Sequence, residues 1–237
     1  MNANIDRSVV RQMPLFTRMS DAELDDVLAF AVSRRYSPGR VVFEQGAPAQ
    51  LFFVLLNGRL RVTQVTPEGQ QLVVRIVNPG DLFGIARALQ RSDYPGTSTA
   101  VVESIALAWP MTAWDGILER HPTLAVNVMQ TMGGRLQEAH TRLREFATEE
   151  VERRVAHAVL RLAKQSGKKE AGGIRIDFPV SKQDVAEMTG TTLHTVSRIL
   201  TAWEHAGLVE GGRQKLLVKD AHQLVLIGDG HAPGLLQ

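Results

Sequence analysis

The sequence has no cysteine among its 237 residues. Disulfides, a thiolate nucleophile, a cysteine-ligated zinc site and a cysteine-ligated iron–sulfur cluster are therefore excluded. No run approaches the ~18 consecutive apolar residues of a membrane helix. Residues 1–16 contain an aspartate and lack the continuous apolar core of a signal peptide. These absences predict a cytoplasmic protein of one large or two ordinary domains that makes no membrane contact.

Lysine is absent before position 164. Residues 1–149 carry 15 arginines and 15 acidic residues, whereas residues 150–237 carry 12 basic and 10 acidic residues. This shift in composition indicates two domains, but the C-terminal excess is too small to indicate nucleic-acid binding by itself. Residues 36–110 have no histidine, so an enzyme of cupin-like fold would lack its metal ligands there. No catalytic or phosphate-binding motif is present, and neither an enzyme nor a metal site is predicted.

The pattern of apolar residues in the N-terminal half changes near residue 36. Ser20 and Glu23 form a capping box, and helical spacing runs to about residue 35. Short apolar runs then alternate with turn motifs, which predicts an antiparallel sandwich or small barrel. The predicted strands cover residues 41–43, 51–56, 60–65, 72–77 and 100–109. Asn57-Gly58 predicts a two-residue hairpin turn.

A long helix is predicted to begin at His121-Pro122. Its apolar and small residues recur in steps of three and four, at Val126, Met129, Gly133, Leu136, His140 and Leu143. This heptad seam favours a two-helix coiled coil that joins two subunits. The alternative is a helix that packs the seam against its own domain.

The C-terminal third has the order of a winged helix-turn-helix. A helix at 150–165, a polar surface loop at 166–173 and a strand at 174–178 lead into it. Ser181 and Asp184 cap one helix, which ends at Gly190. Thr192 caps the next helix, which ends near Gly207, and a hairpin with its turn at Gly211-Gly212 follows.

The second helix of this unit is predicted to enter the major groove of DNA with its N-terminal residues. Arg198 matches the bidentate acceptors of guanine, and Arg213 and Lys215 on the hairpin suit phosphates. The predicted DNA contacts are Thr192, His194, Thr195, Ser197, Arg198, Arg213 and Lys215.

Residues 181–209, SKQDVAEMTGTTLHTVSRILTAWEHAGLV, resemble the DNA-binding helices of the CRP/FNR family of bacterial transcription regulators. FEQGAPAQLFFVLLNGRLRVTQVTPEG and NPGDLFG are similar to the family's β-roll sensor. The resemblance implies an α+β protein: a β-roll sensor with an N-terminal helix at 1–118, a dimerisation helix at 119–148, and a winged helix-turn-helix with a flexible tail at 149–237. It also implies a homodimer on palindromic DNA, with RNA polymerase as a partner if the protein activates transcription.

Two departures from the family pattern bear on specificity. His194 stands where members usually have glutamate, which predicts an altered half-site. Ile85 follows the PGDLFG turn where cyclic-nucleotide-binding members have glutamate, and Tyr94-Pro95 stands where they have Arg-Ser. Arg91-Ser92 lies three residues earlier. A buried phosphodiester would then lack a partner, so a cyclic nucleotide is not the expected ligand.

The segment HTVSR (residues 194–198) and the loop that contains Tyr94 are similar to those of one branch of the family. That branch regulates denitrification in response to nitric oxide. This resemblance implies nitric oxide as the effector and haem as a candidate cofactor, whose candidate ligands are His121, His140, Met13 and Met19, with Tyr36 and Tyr94 more remote. The predicted effector pocket is Arg91, Tyr94, His121 and His140. The alternatives are a cyclic-nucleotide-responsive regulator of the same fold and a constitutive DNA binder with a vestigial sensor.

Overall fold

The computed structural model describes residues 7–232 together with residues 234 and 235. These residues form two compact units. The first contains the residues up to Glu68 and Val74–Glu138, and the second contains Gly69–Val73 and the residues from Ala139 onward. No helix in the described ranges has the length and apolar character needed to cross a membrane.

The first unit is built on a β-roll, as predicted. Its strands are β1 (Val32–Tyr36), β2 (Val41–Phe43), β3 (Leu51–Asn57), β4 (Leu60–Val65), β5 (Gln71–Val77), β6 (Leu82–Phe83), β7 (Thr97–Ala100) and β8 (Ser104–Pro110). One sheet has the strand order β1-β8-β3-β6 and the other has the order β2-β7-β4-β5. Antiparallel pairing joins β1–β8, β3–β8, β3–β6, β2–β7 and β4–β7. The run at 100–109 is thus two strands separated by a bend.

The turn at Asn57-Gly58 does not form a hairpin, which corrects the prediction. It carries the chain from β3 in one sheet to β4 in the other. Gly58 has φ +94°, and a Cβ there would overlap the Ser104 hydroxyl and the Glu103 carbonyl. Glycine is needed at position 58 because the start of β8 packs against this turn. The contact joins residues that are far apart in the sequence, so no local pattern predicts it.

Two helices precede the roll, α1 (Arg7–Arg11) and α2 (Asp21–Ala29). The capping box is confirmed: Glu23 N donates to Ser20 Oγ at 3.3 Å, and Ser20 N donates to Glu23 Oε2 at 2.7 Å. The helical prediction up to residue 35 is wrong beyond Phe30. Val32–Tyr36 is extended because it pairs with β8 along its whole length.

The long helix, α4 (Pro122–Thr148), follows a short helix, α3 (Trp114–Arg120). Its 27 residues span about 40 Å, and its proline start is as predicted. Leu124 and Val128 are buried against the first unit. The predicted seam lies on the other side, where Met129, Leu136 and Leu143 are 64%, 57% and 67% exposed. The alternative that the seam packs on its own domain is therefore wrong.

The second unit holds the predicted helices and a four-stranded sheet. Its elements are α5 (Val151–Ser166), β9 (Gly167–Glu170), β10 (Gly173–Ile176), α6 (Lys182–Thr189), α7 (Leu193–His205), β11 (Val209–Gly212), β12 (Lys215–Val218) and α8 (Ala221–Gly228). The strand order of the sheet is β11-β12-β10-β9.

Three features of this unit differ from the sequence prediction. The expected loop at 166–173 contains strand β9, which pairs with β10. The hairpin turns at Arg213-Gln214, because Gly211 and Gly212 are already paired in β11. Helix α8 was not predicted, and its Leu224 and Ile227 are buried. Part of the tail that was expected to be flexible, residues 233, 236 and 237, lies outside the described residues.

Candidate functional site

Helices α6 and α7 begin and end at the predicted residues. Ser181 Oγ accepts from Asp184 N at 3.0 Å, and Ser181 N donates to Asp184 Oδ2 at 2.8 Å. Gly190 ends α6 with φ +60°. Thr192 Oγ1 then accepts from Thr195 N at 3.1 Å, a cap that stabilises a helix by about 1 kcal/mol. These local contacts fix where α7 starts.

The inner face of α7 anchors it in the second unit. Val196, Ile199, Leu200 and Trp203 are buried, as predicted. Trp203 Nε1 donates to the buried carboxylate of Glu152 on α5 at 2.8 Å. Because one face is fixed in this way, the opposite face is presented in a defined orientation.

The outer face of α7 presents His194 and Arg198, both exposed. Neither makes an ion pair with any residue that the structure describes, so both are available to a ligand. The other three predicted contacts on the helix have local partners. The hydroxyls of Thr192 and Thr195 lie 2.9 Å apart, and Ser197 Oγ accepts from Lys182 Nζ at 3.4 Å.

The β11–β12 hairpin forms the wing and carries Arg213 and Lys215. Both side chains are exposed and have no ion pair within the described ranges. Val180 N donates to the Gln214 carbonyl at 3.2 Å. This bond ties the tip of the wing to the residue just before the cap of α6. The tip of the wing and α7 thus both contact residues at the start of α6.

Two residues of this surface were missed from the sequence. Lys182 is the first residue of α6 and reaches Ser197 of α7; its position directly after the Ser181 cap was an available signal. Leu193, the first residue of α7, is 49% exposed. An exposed apolar residue beside His194 suits contact with a thymine methyl group.

The last turns of α4 are attached to the turn between α6 and α7. The Phe146 ring lies against Gly190, where a Cβ would approach Phe146 Cε1 to 2.7 Å. The Arg154 guanidinium lies 5.4 Å from the centre of the same ring, and its Nε donates to the Thr189 carbonyl at 3.2 Å. The buried carboxylate of Glu145 pairs with Arg161 at 2.6 Å. The predicted dimer helix therefore contacts the element that positions α7.

Within the first unit, Tyr94 lies in the interior of the roll. Its ring stacks on Phe43 at 4.0 Å, and Phe43 stacks in turn on Phe53 and Phe83. The Tyr94 hydroxyl donates to the Leu51 carbonyl at 2.7 Å. Burial raises the pKa of Tyr94. The phenol is therefore a neutral, hydrogen-bonded part of an aromatic cluster inside the roll.

The other predicted pocket residues lie in separate surroundings. Arg91 is half-exposed and makes a bidentate pair with Asp93, at 3.1 and 2.9 Å. His121 is buried, and its Nε2 lies 2.8 Å from Asp26 Oδ2. His140 is exposed on α4. The structure thus gives Tyr94 and His121 different neighbours, and one pocket formed by Arg91, Tyr94, His121 and His140 stays a prediction.

Arg135 connects α4 to the start of β6, just after the turn that contains Asp81, and no sequence signal indicated it. Its guanidinium donates to the Leu82 carbonyl. Asp81 in the same turn pairs with Arg75 at 2.7 Å. Burial, reinforced by the nearby Arg75, lowers the pKa of Arg135 to about 10. The guanidinium stays charged at neutral pH, and its hydrogen bond to Leu82 holds α4 against the roll.

The apolar cavity that the structure describes in the first unit is too small for a haem. An apolar cavity lies beside Phe52, Trp109 and Trp114, but its volume is only about 20 Å³. Ligand pockets are normally several hundred cubic ångströms. His121 is engaged by Asp26, and Met13 and Met19 belong to the hydrophobic core. Among the described residues, no group of three histidine or acidic side chains is placed to hold a metal ion.

Comparisons with known proteins agree with this architecture. The family profile described as "Cyclic nucleotide-binding domain" matches residues 33–121, and that described as "Crp-like helix-turn-helix domain" matches residues 153–227. The cyclic AMP receptor protein of Thermus thermophilus is 30% identical over 219 residues, which cover 92% of this chain and 98% of that protein.

Two further similarities extend across most of the chain. The global nitrogen regulator of Synechocystis is 25% identical, over 90% of this chain and 95% of that protein. The structure of FixK2 from Bradyrhizobium japonicum superposes with a TM-score of 0.72 at 19% identity, and covers 82% of this chain and 96% of that one. The denitrification branch suggested by the HTVSR motif is not distinguished by these similarities.

Proposed function

The chain belongs to the CRP/FNR family of transcription regulators, and from that premise we propose that it acts as a homodimer whose two copies of α7 read a palindromic DNA site. The family membership makes it a DNA-binding regulator with a sensor domain similar to a cyclic-nucleotide-binding domain. The partner arrangement, the DNA contacts and the effector are the proposal. The domain boundaries at 1–118, 119–148 and 149–237 belong to it too, and the two profile matches on either side of α4 support them.

The observation that carries DNA recognition is the set of cations left without acidic partners. In the described part of the second unit, six basic side chains have acidic or carbonyl partners: Arg153, Arg154, Arg161, Lys168, Arg175 and Lys219. Arg198, Arg213 and Lys215 have none, and they lie on the outer face of α7 and on the wing. The other cations without a partner in the described part of this unit, Arg144, Lys164 and Lys169, lie one each on α4, α5 and β9. An unpaired cation on a recognition helix can bind base edges, and unpaired cations on the wing can bind phosphates.

The exposed seam of α4 supports the dimer. Its apolar residues recur at heptad spacing and are more than 40% exposed in a single chain. A second copy of the same helix would remove that surface from water. A two-fold dimer places two recognition helices on half-sites about 34–36 Å apart, so the DNA site is expected to be an inverted repeat.

The effector proposal has two candidates. Nitric oxide, with control of denitrification or nitrogen-oxide genes, rests on the HTVSR motif and the Tyr94 loop. Since the described apolar cavity of the first unit is too small for haem, this candidate has no binding group assigned. A cyclic nucleotide is favoured by the relative named cyclic AMP receptor protein, but Arg91 is paired with Asp93 and the Tyr94 ring is stacked on Phe43 inside the roll. Calorimetric titration with cyclic AMP, and spectra recorded with haem and then nitric oxide, separate the two candidates from constitutive binding.

The test of DNA recognition uses a duplex selected from a random library by the full-length protein. Arg198→Ala is expected to weaken binding by about 1–3 kcal/mol and to relax the preference at one base pair in each half-site. Lys215→Ala should weaken binding to all sequences alike and make the salt dependence shallower.

Lys164→Ala is the control, because Lys164 is an exposed cation on α5, which is neither the reading helix nor the wing. Specific binding that survives Arg198→Ala unchanged would show that α7 is not the reading element. If the selection recovers no sequence, DNA recognition itself is refuted.

A further inference from the structure

A cleft lies beside the wing, and cationic residues of the wing and of strand β10 line it. Its lining includes Arg175 of β10, the Phe178-Pro179 segment, and Arg213 and Lys215 of the wing, and its volume is about 320 Å³. The cleft is open, and its cations outnumber the single carboxylate of Asp177 in its lining. Since two of these residues are proposed phosphate contacts, the cleft adjoins the DNA surface.

The register of the sheet places Arg175 next to Lys215. Arg175 lies opposite Leu217 of β12, and Lys215 is two residues before Leu217 on the same strand. Residues offset by two across neighbouring strands share a face of the sheet and lie about 7–8 Å apart. One DNA strand presents a phosphate about every 3.4 Å along the helix axis. The two side chains are thus spaced to contact one strand at nearby phosphates.

Arg175 has an internal partner that DNA can replace. Its guanidinium lies 2.6 Å from Glu170 of β9, and the two side chains are 44% and 39% exposed. An ion pair this exposed contributes little to stability, so exchanging the carboxylate for a phosphate costs little. The neighbouring Lys168 pairs with Asp177, which removes the other carboxylate from competition.

We propose that the cleft holds the phosphate backbone of the same DNA just outside the half-site, and that Arg175 exchanges Glu170 for a phosphate when DNA binds. Strand β9 then has a function: it supplies the carboxylate that occupies Arg175 in the free protein. The inference rests on the proposed DNA recognition, and it adds a contact outside the base-reading helix.

The test measures affinity of the full-length protein for the selected duplex from 50 to 200 mM salt. Arg175→Gln is expected to make the slope of log affinity against log salt shallower by about 0.9 for each phosphate that is no longer neutralised, a difference of about threefold across that range. Glu170→Gln is expected to raise affinity, because it removes the competing carboxylate. A gain of affinity also separates the mechanism from misfolding, which only weakens binding.

Duplex length gives the second readout. As the selected duplex is trimmed from its outer ends, the effect of Arg175→Gln should disappear once the flanking phosphates are gone, whereas that of Arg198→Ala should persist. Lys164→Gln is the control for removal of a surface cation. If Arg175→Gln leaves the salt slope unchanged on the long duplex and Glu170→Gln does not raise affinity, the cleft does not hold DNA. Such a result with Arg198→Ala still weakening binding overturns this inference alone.

Discussion

His194 is the residue whose chemistry most distinguishes the reading surface of this chain. It is exposed on the first turn of α7, four residues before Arg198, where related regulators usually have glutamate. A glutamate accepts a hydrogen bond from cytosine N4 as an anion, and a histidine cannot do so. The half-site should therefore differ from the usual one at this position, while the guanine read by Arg198 is kept.

His194→Glu is expected to restore a cytosine preference at one base pair in each half-site, with a discrimination of about 1–3 kcal/mol. Selection of binding sites by the variant and the wild type measures it. His205→Glu is the matched control, since His205 is an exposed histidine at the other end of the same helix. Recovery of one and the same half-site from wild type and His194→Glu would contradict the assignment.

Single residues were predictable from the sequence where their role is local. The caps at Ser20, Ser181 and Thr192 depend on contacts three residues away, and all three formed as expected. Arg135 depends on a carbonyl 53 positions earlier, so no local pattern marks it. The effector pocket stays a prediction for the same reason, because Tyr94 and His121 are grouped by residue type and no local pattern links them.

At the scale of elements, α4 and the turn between α6 and α7 are joined through Phe146. The ring is 45% exposed, contacts Gly190 and lies under Arg154. Gly190 needs both the left-handed backbone and the space that the ring leaves. A change at Phe146 should therefore reach α7, although Phe146 is far from it in the sequence.

Phe146→Ala is expected to lower the free energy of unfolding of the second unit by about 1–2 kcal/mol, less than a fully buried phenylalanine would, and to weaken DNA binding several-fold. Denaturant titration and DNA binding measure the two effects. Phe30→Ala is a close control, because Phe30 is 44% exposed and lies 5.6 Å from the Arg120 guanidinium in the first unit. Equal effects of the two variants on DNA affinity would refute the coupling.

The strands that the sequence missed or paired wrongly depend on their partner strands more than on their own composition. Strand β9 has the sequence GKKE, which is polar and follows a helix directly, and it is extended because β10 pairs with it. Strands β3 and β4 were expected to pair across Asn57-Gly58 but lie in different sheets, since β8 and β7 are their partners. Amphipathic helices such as α5 and α7 were predicted because their burial pattern repeats within a few residues.

At the scale of the whole molecule, the account depends on the seam of α4. A charge placed on it would be buried against its symmetry mate in the dimer, at a cost of about 3 kcal/mol or more. Leu136 is 57% exposed in the single chain, and Leu89 of the first unit is 53% exposed but lies outside the seam. Leu136→Glu and Leu89→Glu therefore replace leucines of similar exposure, and only the first places a charge in the proposed dimer seam.

Sedimentation of the protein with its selected duplex is the most direct measurement of the central claim, that a dimer reads an inverted repeat. The account predicts two chains per duplex for the wild type and Leu89→Glu. For Leu136→Glu it predicts monomers in solution and at least a tenfold loss of affinity for the full site. Two chains per duplex at wild-type affinity for Leu136→Glu, or one chain per duplex for the wild type, would contradict it.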